Sequence, residues 1–549
     1  MKARSLCFFI LFLIAFSFGL NLGAQNIHDP NSQIYSDIDI WFTRGYVRSF
    51  LPLIRPYPAP LVNEILREVI QNGDLQSRTR AEEYLFMISP ESRALHFGAF
   101  GRLEGRGSDY GLMFTPFVEG NFHLSDILGA SYNYSIYTIT DVDGERFNAP
   151  GTYSPYPDLV DDTADIGRLK IRQNWTSLIY LGTSNTYVQA GLSRSSIGPF
   201  YDNGIVVGPQ VPNAGHLSFV YYRPSWSFEM LFQTITASDD WGANQYSNKY
   251  NLIHYLTYRP SGNMELGFVQ GITWGGRFET MYLVPFSFLF SSQSIFGFED
   301  NAFIGLHLRW RPMDNLLVNT QLYVDDFSFN NIFSGNLEIK AAAMAGITWT
   351  PRGSLLSRLD FDYTMVMPYT YSHWNQNELT YQNPPGSGGI PNNLNYTHRG
   401  RNLGPDLEPN SDRVSIRTVW NLFPGIALNA SGYLMRHGNA SLGNPNLSAN
   451  DHDGSIFDDG WSSAGGRTML GLGSFLTQSV LDIRVGGGFG VIYTINTNFG
   501  TFSVTGDYAA EYGWNRSVRS GEGASTRGGP VSGNNGLFHF WSIGAKWSF

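Results

Sequence analysis

Residues 367–411 carry a dense set of side chains able to do chemistry: Tyr369, Tyr371, His373, Trp374, Tyr396, His398, Arg399 and Arg401. Aromatic faces suit the apolar faces of sugars, and guanidinium forks suit the carboxylates of acidic sugars. The same side chains could instead order a large loop against its scaffold. Other candidates carry less. Asp161-Asp162, Asp325-Asp326 and Asp458-Asp459 are neighbours in sequence. On a strand such neighbours point to opposite faces, so they make no catalytic dyad. Asp451-His452-Asp453-Gly454 hints at a calcium loop, but the later glutamate is missing. The glycines from Gly486 to Gly490 lack the spacing and strand–helix setting of a dinucleotide site, and read as small residues making room in a crowded strand. There is no G-x-S-x-G elbow, P-loop or H-E-x-x-H. The chain therefore reads as a non-enzyme with no cofactor and no metal.

The elements that must position these residues follow from composition and period. Lys2 and Arg4 precede an apolar run from Leu6 to Leu20, and Asn21-Leu22-Gly23-Ala24 follows. That is the pattern of a cleaved secretory signal over residues 1–24. Cys7, the only cysteine, lies inside it. The mature chain then has no disulfide, no thiolate catalysis and no Cys-ligated zinc. Net charge is −10, so a basic nucleic-acid footprint is absent and no nucleic acid is expected as a partner. Aromatics reach 15% with 30 Tyr and 13 Trp, beside 60 Gly and only 15% charged residues. Tyr and Trp suit membrane interfaces, yet no second apolar stretch is long enough for a helical span. The nearest, Tyr282 to Phe298, is broken by Pro285 and polar residues. A membrane protein without membrane helices must close its sheet into a barrel.

Residues 25–94 form a small helical segment on this reading. Leu61, Ile65 and Val69 are spaced by four after Pro60, and Ala81, Tyr84, Leu85 and Ile88 share a face after Ser77. The segment is expected to pack on the barrel, on the periplasmic side. Beyond residue 95 the period becomes two. Phe361, Tyr363 and Met365 alternate with Asp360, Asp362 and Thr364; Phe228, Met230 and Phe232 alternate with Glu229 and Gln233. Short Pro/Gly turns with adjacent aromatics, such as Tyr222-Arg223-Pro224-Ser225 and Trp310-Arg311-Pro312-Met313-Asp314, alternate with long polar connections. That fits periplasmic turns and extracellular loops. The fold class is an all-β transmembrane barrel of roughly 18 antiparallel strands over 95–549, with the N-terminal helical segment. Trp541, Ile543, Ala545, Trp547 and the terminal Phe549 share one face of a last strand. This resembles the outer-membrane assembly signal, with Phe549 and Trp547 as its key residues.

One series of motifs is more specific. It runs Gly276-Arg277, Tyr282-Leu283-Val284-Pro285-Phe286, Glu299-Asp300-Asn301, Tyr323-Val324-Asp325-Asp326-Phe327, Pro368-Tyr369-Thr370-Tyr371-Ser372-His373, Asn395-Tyr396-Thr397-His398-Arg399-Gly400-Arg401-Asn402-Leu403-Gly404 and Asn410-Ser411-Asp412-Arg413. Their order resembles the Wzi-type capsule assembly family, with Ile197 where that family's W-G-P motif has tryptophan. The resemblance implies an outer-membrane barrel that binds capsular or exopolysaccharide at the cell surface and is not an enzyme. The implied partners are surface polysaccharide, outer-membrane lipid and the barrel-assembly machinery. The alternatives are an outer-membrane porin and, behind it, a barrel lipase or protease.

Overall fold

The computed structural model describes residues 27, 29–88, 95–106, 109–140, 161–167, 169–200, 204–236, 248–297, 300–327, 339–373, 393–399, 401–423, 425–438, 461–462, 466–467, 475–497, 500–520 and 527–549. The expected leader 1–24, Trp374, Asp451–Gly454 and Asp458-Asp459 lie outside them.

Period-two sequence gives period-two burial. Along Asn301–Met313, His307, Arg309 and Arg311 are buried on the inner face, while Leu306 and Trp310 are exposed on the outer one. Eighteen such strands close into one antiparallel barrel. The seam joins the first strand, His96–Arg106, to the last, Gly536–Ser548, with Gly98 opposite Ser548 and Arg106 opposite Phe540. Phe97 and Phe549 exchange both backbone hydrogen bonds there, at 3.1 and 2.9 Å. An extra short strand, Asp161–Ile166, adds to the upper part of Leu169–Gly182.

An even strand number returns both barrel termini to one end. The Pro/Gly turns read from the sequence at 222–225 and 310–314 lie at that end with those at 258–262 and 350–353, and Tyr258, Trp310, Trp349 and Phe423 are exposed there as an aromatic girdle. Pro260 and Pro312 sit where the register slips between Tyr258 and Ser261 and between Trp310 and Met313. A bulge is where a strand tolerates a residue with no N–H. The outer face is apolar enough that Leu306→Arg would cost about 2–4 kcal/mol at mid-membrane depth. The Gly486–Gly490 run does make room: a Cβ on Gly486 would meet the ring of Tyr433 on the next strand.

The N-terminal segment packs on the barrel from within, filling the lumen at the turn end. Helices α1 (Gln33–Thr43), α2 (Ala59–Asn72) and α3 (Leu75–Met87) share one hydrophobic core with inward residues of the wall. Leu61, Ile65 and Val69 are buried, as their spacing predicts, and so are Ala81, Tyr84 and Ile88. Two details differ from expectation. Helix α3 starts at Leu75, before Ser77, and its cap is Asp74, whose carboxylate accepts Ser77 N at 2.8 Å. Helix α1 adds a third helix to the two that the sequence spacing indicates, and Ser32 before it makes no side-chain cap. It ends at Gly45, whose φ of +76° suits glycine and where a Cβ would collide with Asp314.

Wall side chains grip the backbone of this plug. Arg311 Nη1 donates to Phe42 O at 2.7 Å and Val47 O at 2.9 Å, and its Nη2 donates to Arg48 O at 3.0 Å. Arg309 Nη1 donates to Leu51 O at 2.9 Å. Glu229 Oε2 accepts Leu53 N at 2.8 Å and Ile54 N at 3.1 Å. The α1–α2 connection is irregular, so its backbone groups have few local partners. Buried polar groups without partners are costly, and the barrel supplies those partners from charged side chains.

Candidate functional site

At the opposite end, residues 367–373 and 393–410 fold inward and meet the 194–213 connection, roofing the lumen. Asp325, on the wall, faces inward and accepts Tyr371 N at 2.9 Å. Lys249 Nζ donates to Asn395 O at 2.6 Å and Thr397 O at 2.7 Å. Asn301 Nδ2 donates to Leu394 O at 2.9 Å. Beneath these bonds lies an aromatic stack. Ring centroids are 4.4 Å apart for Phe303–Tyr323, 4.7 Å for Tyr323–Tyr371 and 5.7 Å for Tyr371–Tyr396. Tyr371 OH donates to Ile205 O and Tyr396 OH to Val206 O, each at 2.8 Å, which ties the two loops together. Burial pushes both phenols well above the ordinary tyrosine range.

The structure sorts seven of the eight sequence candidates, Trp374 lying outside the described residues. Tyr369, Tyr371, Tyr396 and His398 are buried, so in this conformation they pack and position the loop. His373 and Arg399 are half-buried at the rim and Arg401 is exposed. His398 shows why burial matters. Its Nδ1 accepts Thr236 N at 3.1 Å, so its Nε2 carries the proton facing Asn213 O at 3.0 Å. Only the neutral ring can make both bonds. Burial, with Arg399 close by, pushes its pKa down to about 3. His398 pairs with Arg401 in a two-residue hairpin, which carries Arg399 and Arg401 outward.

The backbone here is held in unusual conformations. Tyr369, Tyr371, Arg399 and Asn410 all have positive φ, between 52° and 73°. Non-glycine residues pay for such angles, and the surrounding bonds must hold them there. Asn410 Nδ2 does so by donating to Gly438 O at 2.8 Å.

Much of the motif series is explained by folding. Asp300 is the common acceptor for Arg277 and for Tyr282 OH. Burial raises the Asp300 carboxyl above its ordinary range despite those two donors. Ile197 is fully buried and pairs with Ile54, so it joins the 194–213 connection to the plug. A polar cleft remains between α1 and the wall, lined by Asp39, Asn319, Arg358, Asp360, Asp362 and Arg417. Its charges pair among themselves: Arg417 with Asp362 at 2.9 Å and Arg358 with Asp360 at 2.7 Å.

Catalytic constellations fare poorly on geometry. Ser195 Oγ lies 2.8 Å from His216 Nδ1, but the other ring nitrogen meets the Ser218 hydroxyl at 2.9 Å, not a carboxylate. All three are buried. Among the described residues no cluster of three metal-ligating side chains occurs.

No family model and no curated protein sequence matches this chain. Solved structures do. Wzi of Escherichia coli, an outer-membrane protein involved in group 1 capsule assembly and described as a carbohydrate-binding β-barrel, superposes with a TM-score of 0.54 at 11% identity. The match covers 96% of this chain and 99% of Wzi. OccAB2 of Acinetobacter baumannii reaches 0.41 at 10% identity over 83% of this chain and 97% of its own. OprD of Pseudomonas aeruginosa reaches 0.39 at 9% identity, over 83% and 94%. At such identities the likeness is one of fold: this chain is a closed barrel of the outer-membrane type, similar over nearly its whole length to Wzi.

Proposed function

We propose that this chain is an outer-membrane barrel that holds capsular or exopolysaccharide at the cell surface, without catalysis. The observation that carries the reading is the superposition on Wzi, whose 96% coverage is too large to leave out the plug. The order of the loop motifs and the strained roof support it. On this reading residues 1–24 are a cleaved leader, the plug faces the periplasm and the roof faces outward. His373, Arg399 and Arg401 at the rim make the sugar contacts, with Trp374 beside them in sequence. Tyr369, Tyr371, Tyr396 and His398 hold the loop that presents them. Phe549 and Trp547 serve as the signal read by the barrel-assembly machinery.

The test is the ratio of cell-associated to shed polysaccharide in cells with and without the protein. Loss of the protein should move polysaccharide into the medium; an unchanged ratio contradicts the proposal. Filling of the lumen from both ends supports this reading over a porin. Purified barrels should therefore show no steady single-channel conductance, and a stable open channel would restore the porin reading.

A further inference from the structure

The connection between the strands Met264–Gly275 and Asn301–Met313 does not extend into solvent. It folds down the outside of the barrel. Tyr282 packs on Trp274 with ring centroids 5.0 Å apart, and Phe286 packs on Phe228 at 4.2 Å. Phe228 lies only two residues above the turn-end start of its strand, Trp226–Ile235. The segment thus reaches most of the way down the wall. It includes a short helix, α4 (Leu289–Phe296). Its inner side, with Tyr282 and Leu289, forms a separate hydrophobic cluster with Phe228, Met230, Phe232 and Trp274 of the wall. This is why outward-facing Phe228, Met230 and Phe232 are buried, whereas the outward Leu306 is 58% exposed.

The covered patch of wall is unusual. Gln270 and His254 alternate with inward residues and so point outward, where lipid would otherwise meet them. The segment bonds both ends of the Gln270 amide: its Nε2 donates to Ser287 O at 2.6 Å and its Oε1 accepts Leu289 N at 3.0 Å. Both bonds lie at mid-strand, five residues below the upper end of Met264–Gly275.

The outer side of the segment is apolar. Phe278, Met281, Val284, Phe286, Phe290 and Ile295 are 45–77% exposed. No Asp, Glu, Lys or Arg occurs from 280 to 297; the charges Arg277, Glu279 and Asp300 sit at its two ends, where it leaves and rejoins the barrel rim. Within α4, Ser292 Oγ donates to Phe288 O at 3.0 Å and Ser294 Oγ to Phe290 O at 3.2 Å, so these hydroxyls turn back onto their own helix. The exposed face is continuous with the apolar belt of the neighbouring strands, such as Leu256, Leu266 and Leu306.

We propose that residues 280–297 form a clasp embedded in the bilayer outside the barrel, with its aromatic outer face a binding surface for lipid acyl chains. Non-strand backbone is tolerated at membrane depth only where its polar groups find partners in protein. Gln270 supplies two of them, and α4 supplies its own. The clasp makes the wall two layers thick over a patch whose polar side chains would otherwise break the lipid-facing belt. No sugar binding is needed for this, so the proposal is independent of the functional reading.

The test uses the full-length barrel in lipid nanodiscs with Cys7→Ser and Ile295→Cys, carrying a nitroxide label. A second variant, Phe286→Cys, guards against a local effect, and heat-modifiable gel migration verifies that each barrel is folded. Reference labels at Leu306→Cys and Gly262→Cys give the lipid-facing and aqueous values. The expected result is high collision with oxygen and low collision with a water-soluble nickel chelate at both clasp positions, matching Leu306→Cys. Nickel accessibility like that of Gly262→Cys would overturn the proposal by placing the segment in water. Protection from both reagents would also overturn it, by showing that protein, such as a second copy of the chain, covers this face.

Discussion

The two ends of the lumen are closed in different ways. The plug at the turn end is built from helices with their own apolar faces, and the wall adds charged side chains at the end of α1 and along the irregular chain between α1 and α2. Among its described residues, the roof has no regular element larger than a two-residue hairpin. It is held by side-chain bonds to backbone, by stacked tyrosines and by residues at positive φ. Regular structure suffices to stop a hole. A surface held in strained, irregular conformations is what a barrel needs when particular side chains must be presented outward.

Removing the charged grip should have the largest effect. Arg309→Ala with Arg311→Ala deletes four bonds to buried carbonyls. Hydrogen bonds to charged groups contribute about 1.5–3 kcal/mol each, so docking of the plug should weaken by more than about 5 kcal/mol. Limited proteolysis of refolded barrels should then cut within residues 27–88 while the wall survives. Resistance equal to the parent would mean that the helical core alone holds the plug.

Breaking the roof stack should cost less. Tyr371→Ala removes a fully buried ring and should destabilise loop docking by about 3–4 kcal/mol, whereas Tyr371→Phe loses only the bond to Ile205 O, about 1 kcal/mol. Hydrogen exchange over 393–410 reads both. Equal effects from the two substitutions would remove the stack from the account.

A pH change should act on the roof through His398. The His398 pKa falls from an ordinary value near 6.5 to about 3 when the loop docks. The undocked ring binds a proton below about pH 6.5, and the docked ring refuses it. Docking strength is therefore full above about pH 6.5 and falls as the medium is acidified, by up to about tenfold per pH unit. Between pH 7 and 4.5 the protection factors in 393–410, taken relative to the intrinsic exchange rate at each pH, should fall, and His398→Gln should flatten that dependence. An unchanged pH response in His398→Gln would assign it to another group.

The smallest effect on stability is expected at the rim. At the exposed Arg401, substitution by Ala should shift unfolding by less than about 0.5 kcal/mol, as for other surface substitutions. A large loss of stability would show that this side chain holds the loop as the tyrosines do.

The wall was legible in the sequence because a strand writes its two faces in alternate residues, as in His307, Arg309 and Arg311 against Leu306 and Trp310. Turns were legible through Pro260, Pro312 and Gly425. The helices α2 and α3 showed through four-residue spacing. What periodicity cannot show is direction of packing: nothing in the spacing of Leu61 and Ile65 says whether the face meets the inside or the outside of a barrel. The clasp was missed for a related reason. Its residues read as a failed membrane helix, and only the structure shows that Gln270 receives them. At the roof the residue types were found, but not their burial. Tyr371 and Arg401 look equally available in a sequence, and the difference is made by Asp325, Ile205 and Val206 from distant segments.

The central claim, that the roof presents a sugar-holding rim, is tested most directly by binding of purified barrels to the surface polysaccharide of the cells that make them. The comparison is the parent against the combined His373→Ala, Arg399→Ala and Arg401→Ala variant at equal fold stability. Each contact contributes about 1 kcal/mol, or about fivefold, so the variant should bind roughly a hundredfold more weakly. Binding equal to the parent's would contradict the claim and leave the roof as a cover only.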